Sequence, residues 1–174
     1  MTESITRILV PVDFSANSDR ALHYAATLAG QVGASVELLH VVEDFTYGVL
    51  SEVYVPDMPD MMQETINSAV ERLASLKASV FPHGSDVETF AYVGRPAPTI
   101  VEYAKAGGFD LIVMGTHGRT GLPHLLMGSV AEQVVRAASC PVLTVRGNGA
   151  ARVHTPAAPD EGGVVCGRVH ARCA

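Results

Sequence analysis

The stretch GTHGRTGLPHLLMGS occupies positions 115 to 129 and carries four glycines, a proline, and the side chains of His117 and Arg119. It joins an apolar run, DLIVMG, to a helical pattern, SVAEQVVRAAS. Gly115 and Gly118 can present bare N–H groups, because no Cβ blocks a ligand's approach. Gly128 and Ser129 stand where a helix begins. Unpaired N–H groups and a partial charge of about +0.5 favour an anion there. His117 and Arg119 could add charge or hydrogen bonds. Together these residue types suit a phosphate cradle. The competing reading is a loop whose glycines serve only turns. Length weighs against it, since loops beyond roughly 12 residues are uncommon in compact domains and tend to be functional. Other phosphate motifs are absent. There is no G-x-x-x-x-G-K-[ST] and no G-x-G-x-x-G after the first strand. The GNGAAR at 147 lies in the wrong place for one.

The elements that must position this loop follow from apolar periodicity. Short apolar runs at 7–13 (RILVPVD), 35–43, 86–94, 110–115 and 141–146 read as five strands. Helical spacing joins them. Ala21, Leu22, Ala25, Leu28, Ala29 and Val32 form one helix, capped by Ser15 and stopped by Gly33. A longer amphipathic helix carries Met62, Ile66, Ala69, Val70, Leu73, Leu76 and Val80, after an irregular stretch at 44–60. RPAPTIVEYAKAGG opens on proline and closes on glycine. Strict alternation of strands and helices implies an α/β fold with a parallel sheet covered on both faces. The strand DVETFAYVG alternates as a sheet-edge strand does.

Composition bounds the function. The chain has 174 residues, 48% apolar and 17% charged, with a formal net charge of -6. That material fills one core, and the charge disfavours binding along a nucleic-acid backbone. No apolar stretch approaches the roughly 18 residues of a membrane span. The N-terminus lacks a signal pattern, and three cysteines make no secreted framework. A soluble cytoplasmic protein is expected. Residues 1–146 read as one domain and 147–174 as a loosely ordered or partner-ordered tail, rich in Gly, Ala, Pro and Arg.

Gly115, Gly118 and Gly128-Ser129 fit G-x2-G-x9-G-[ST]. With ILVPVDFS and DLIVMGTHG, the chain resembles the universal stress protein family over roughly residues 4 to 146. The resemblance implies a Rossmann-like sheet ordered 3-2-1-4-5 and ATP binding, with Mg2+ or Mn2+ accompanying the nucleotide. It implies that Pro11, Val12 and Asp13 hold the adenosine, Asp13 through a ribose hydroxyl or a metal. Val41 would line the adenine side. Met114, Gly115, His117 and Gly118 would flank ribose and phosphates, with Arg119 near them. Gly128, Ser129 and Val130 would receive the phosphates. Asp13 has a plainer reading as a helix cap, and Val41 and Met114 as core residues at strand ends.

A regulatory nucleotide-binding module acting in stress response through a downstream protein partner is expected, rather than an enzyme. Phosphoryl transfer needs positioned cations and a group that orients the nucleophile. Asp13 is the only evident metal candidate in the motif, and no general base is evident. A slow ATPase or phosphotransferase is the alternative. In the tail, His154, Cys166, His170 and Cys173 could reach one zinc ion, although their spacing is not that of a finger. Cys140 reads as a buried small apolar residue. The strand at Val142 to Val145, with no charge or internal proline, is expected to be an open edge that pairs with a second copy as a homodimer, unless the tail folds over it.

Overall fold

The computed structural model describes residues 4–43, 58–82, 85–117, 127–146 and 151–155. Its elements in chain order are β1 (Arg7–Pro11), α1 (Ala16–Val32), β2 (Ser35–Glu43), α2 (Met58–Val80) and β3 (Val87–Gly94). They continue with α3 (Pro96–Gly107), β4 (Leu111–Gly115), α4 (Ser129–Ala137), β5 (Val142–Val145) and β6 (Ala151–His154). The strands form one sheet ordered β3-β2-β1-β4-β5-β6, parallel except for the antiparallel β5–β6 pair.

Local chemistry explains the element boundaries. The Ser15 hydroxyl accepts the Ser18 N–H at 3.3 Å, capping α1. Gly33 ends that helix at φ 72°, and Gly108 ends α3 at φ 63°. Both use the left-handed region that glycine enters without strain. Proline opens α3, where its missing N–H is harmless.

Side chains alternate across the sheet. Ile8, Val10 and Val12 face one core with Ala21, Leu22 and Ala25 of α1 and Leu73 of α2. Leu9, Leu39, Ile112 and Val142 face the other, with Ala97 and Ile100 of α3 and Val134 of α4. This division follows from handedness. Right-handed crossovers place α1 and α2 on one face while strands are added outward from β1 to β3. The chain then returns to the far side of β1, so α3 and α4 fall on the other face. Cys140 is buried in the second core, and burial raises its thiol pKa. No helix among the described residues is long and apolar enough to cross a membrane.

The sheet has six strands rather than the expected five. Residues 151–154 pair with β5 in the register Val142↔His154, Leu143↔Val153, Thr144↔Arg152 and Val145↔Ala151. Val142–Val145 is therefore not an open edge, and the expectation of a free ladder there is corrected. The physical reason is the one that made that edge attractive: unpaired N–H and C=O groups accept whichever strand reaches them first. Thr144 Oγ1, buried, reinforces the pair by donating to the Arg152 carbonyl at 3.4 Å and lying 3.2 Å from His154 Nε2.

At the amino ends of the strands a polar brace crosses the second core. Glu37 is buried, accepts the Tyr103 hydroxyl, and lies 3.5 Å from Arg7 Nη2. Arg7 also donates to the Gly107 carbonyl and stacks over Phe109, 4.6 Å from its centroid. Asp110 accepts from the Thr6 hydroxyl and from the backbone N–H groups of Thr6 and Arg7 at 2.7–2.9 Å, tying β1 to the start of β4. Burial raises the Glu37 pKa above its ordinary 4.5; the Tyr103 hydrogen bond and Arg7 only partly oppose it. A carboxyl whose pKa is higher folded than unfolded favours the fold most below its unfolded pKa, and that contribution is lost as pH rises through the folded value. Glu37→Gln removes this loss. Denaturant unfolding across pH should show the variant gaining stability relative to the parent as pH rises from about 4 towards neutrality, starting near the unfolded glutamate value.

Candidate functional site

β1 and β4 are neighbours at the place where strand order reverses, and their carboxyl ends define the crevice of an open α/β sheet. The registered pairing between them stops at Leu9↔Ile112, two residues before β1 ends. Pro11 supplies the reason. The Val12 N–H donates to Leu39 of β2 at 2.9 Å. Strand alternation therefore turns the Pro11 nitrogen towards β4, where it has no proton to give. The strand ends are left unjoined above it.

The chain leaving β1 makes a tight corner. The Asp13 carboxylate accepts the Ser15 N–H at 3.0 Å, and the Asp13 N–H donates to Ser18 Oγ at 3.4 Å. Between them Phe14 sits at φ 62°. That left-handed conformation is uncommon for a side chain of this size. Asp13 itself is half-buried at the mouth. It therefore holds the corner, beside the Ser15 cap.

The chain leaving β4 is clamped. The Thr116 N–H donates to Val145 of β5 at 3.0 Å, and the Thr116 carbonyl accepts the Gly128 N–H at 2.7 Å. The second bond closes the glycine loop at its base. It sets His117, whose Nδ1 lies 3.0 Å from Thr116 Oγ1, beside the start of α4. There Gly128 is the N-cap residue, and no side chain among the described residues caps the helix. The acid in the first turn, Glu132, is drawn along the helix to Arg136 at 2.9 Å.

The residues expected at the site divide into three groups. Pro11, Asp13, Gly115, His117, Gly128, Ser129 and Val130 lie at the carboxyl ends of β1 and β4 or at the start of α4. The side chains of Val12, Val41 and Met114 are buried in the cores. Gly118 and Arg119 lie outside the described residues, as do Cys166, His170 and Cys173. His154 is in β6 beside Thr144. Among the described residues no group of three or more His, Cys, Asp or Glu side chains could hold a metal ion.

Gly115 has a role that its motif position does not reveal. A Cβ built there would stand 2.9 Å from the Asn17 carbonyl carbon and 3.0 Å from its oxygen. The first turn of α1 thus packs directly on β4, and only glycine admits it. Residues absent from the motif also shape the corner. Phe14 packs on His40, ring centroids 4.4 Å apart, and His40 Nδ1 lies 2.7 Å from the Val12 carbonyl. The signal was the histidine inside the apolar run LLHVV, since a buried polar group demands a partner.

Fold and site together define an open parallel α/β protein of the kind that holds ligands beyond the carboxyl ends of its strands. The chain belongs to the universal stress protein family, whose sequence model matches residues 4–146. It is 36% identical over 141 residues to universal stress protein MJ0531 of Methanocaldococcus jannaschii, covering 80% of this chain and 81% of that protein. The solved structure of MJ0577 from the same organism superposes with a TM-score of 0.72 at 30% identity, covering 82% of this chain and 96% of that one. A universal stress protein crystallised with cAMP shares the fold at 24% identity and a TM-score of 0.58, covering 82% of this chain and 97% of its own. The family match ends at residue 146, so β6 lies beyond it.

The Gly115 contact yields a prediction independent of any ligand. Gly115→Ala forces backbone to give way, and unfolding measurements should show a loss of about 1–3 kcal/mol, the usual range for overpacking. An unchanged midpoint would mean that α1 shifts without penalty.

Proposed function

We propose that the chain is a regulatory nucleotide-binding protein that takes ATP at the β1/β4 crevice and signals its occupancy in stress response. The observation that carries this reading is convergence. The Gly128–Thr116 hydrogen bond joins the start of α4 to the Thr116–His117 segment, and the pairing of β1 with β4 sets the Asp13 corner at the neighbouring strand end. Phosphate oxygens suit the helix start, where no described side chain serves as a cap. The ribose suits the Asp13 side, and the backbone at Pro11 to Val12 borders the adenosine. Val41 and Met114 support that border from within the core. Gly118 and Arg119 complete the glycine motif by sequence.

The donor set also fits a magnesium or manganese ion brought with the nucleotide. Such ions are held by one or two carboxylates, phosphates and water, and Asp13 is the carboxylate at the mouth. That ion would neutralise phosphate charge. In this reading Asp13 serves the corner and the ion and His117 borders the phosphates, which suits binding rather than turnover. Slow ATP hydrolysis on the same site is the rival reading, and it is tested by incubating the protein with ATP and magnesium and assaying ADP.

Saturating ATP, at about 100 times its dissociation constant, should raise stability by about 2.7 kcal/mol in thermal melts. Gly128 has φ -75°, which any residue adopts, so Gly128→Leu should fold. The variant should lose the ATP-dependent shift, because its side chain fills the helix start. A shift equal to the parent's would remove the phosphates from this position.

Self-association through β5 is the remaining part of the proposal. Val142 to Val145 can pair with a second copy only if β6 leaves the ladder. Sedimentation should therefore find the full-length chain monomeric at micromolar concentration and a chain ending at Arg146 dimeric. A truncated chain that stays monomeric would show that the uncovered ladder does not recruit a second copy.

A further inference from the structure

We infer that His40 is a positioning residue for the nucleotide site, acting through the two residues that flank Asp13. This rests on the crevice being that site. His40 Nδ1 lies 2.7 Å from the Val12 carbonyl oxygen. A carbonyl can only accept, so this contact fixes the tautomer in which Nδ1 carries the proton. The same ring packs against Phe14 at 4.4 Å, tilted by 42°. The Arg72 guanidinium of α2 lies 3.8 Å from the Phe14 centroid. That is within the range of a cation–π contact. Arg72, Phe14, His40 and the Val12 carbonyl thus form one continuous stack from helix to strand end.

The stack governs Asp13 because it grips the chain on both sides. Val12 is held by its carbonyl and Phe14 by its ring, and the residue between them has little freedom left. Phe14 stands at φ 62°. For a bulky residue such a conformation persists only where surrounding contacts over-determine it. The His40 ring and Arg72 supply those contacts. His40 is buried at 7% exposure, on the side of the sheet facing α1 and α2. Its job is orientation. The stack also ties α2 to the site: a displacement of that helix moves Arg72, and with it the ring that holds the corner.

The test uses the full chain with His40→Leu and His40→Asn. Leucine keeps an apolar side chain of suitable size and has no donor. Asparagine can place its amide N–H where Nδ1 stood and so bond the Val12 carbonyl. Two readouts are followed: ATP affinity by calorimetry, and hydrogen exchange of the Ser15 amide, which Asp13 Oδ1 accepts at 3.0 Å. In His40→Leu, ATP should bind about tenfold more weakly or worse, as for lost orienting partners at other sites. Ser15 exchange should accelerate while amides in β2 and β4 keep their protection. His40→Asn should restore most of both. Unchanged affinity and unchanged Ser15 exchange in His40→Leu would overturn the proposal. So would a uniform loss of protection across the sheet that asparagine does not repair, which would make His40 an ordinary core residue. If the parent chain fails to bind ATP, the nucleotide reading falls, and the Ser15 exchange still decides whether His40 holds the corner.

Discussion

An open parallel sheet with helices on both faces reverses the direction of its crossovers, and in this chain the reversal falls between β1 and β4. Everything else at the mouth depends on those strands ceasing to pair there. Pro11 ends the ladder by withholding a donor, after the last registered pair at Leu9↔Ile112. Glycine at 115 lets the first turn of α1, which follows closely on β1, sit directly on β4. The crevice is a consequence of covalent constraints at two positions, and it needs no ligand to exist.

Polar braces secure the sheet at both ends, and they differ in purpose. At the amino end, Arg7, Glu37 and Tyr103 cross the second core, and Asp110 pins β1 to the β4 entry. That brace lies at the opposite end of the strands from the crevice. At the carboxyl end the braces are shorter and involve the chain that leaves each strand. His40 holds the Val12 carbonyl, and Thr116 holds Gly128. A site that must present backbone N–H groups to a ligand gains from having those backbones fixed beforehand, because less freedom is lost on binding.

Much of this was legible in the sequence. The five parallel strands and four helices follow from apolar runs and helical spacing, and the caps at Ser15, Gly33 and Gly108 stand where residue type places them. That Asp13, Gly115 and Gly128 would stand at the carboxyl ends of β1 and β4 and at the start of a helix was legible from the apolar runs and the glycine spacing. β6 was not. Ala-Arg-Val-His alternates apolar and polar residues over only four positions and has one large apolar side chain, and it becomes a strand because β5 offers an open ladder to it. The Gly-Asn-Gly-Ala at 147–150, rich in turn-forming residues, was the available signal. Phe14 was equally hidden. A phenylalanine carries no mark of a left-handed conformation, which here is imposed by His40 and Arg72, from elements distant in sequence.

We propose that ATP sits where β1 and β4 part. This placement is tested most directly by titrating the isotope-labelled full-length chain with ATP and magnesium and following backbone amide resonances. The largest shifts should fall at Asp13 to Ser15, Thr116 to His117 and Gly128 to Val130, saturating together with one dissociation constant. Amides of β3 and of the Arg7–Glu37–Tyr103 brace should stay in place. Shifts centred on those distant elements, or no saturable shift at the three switch-point segments, would contradict it.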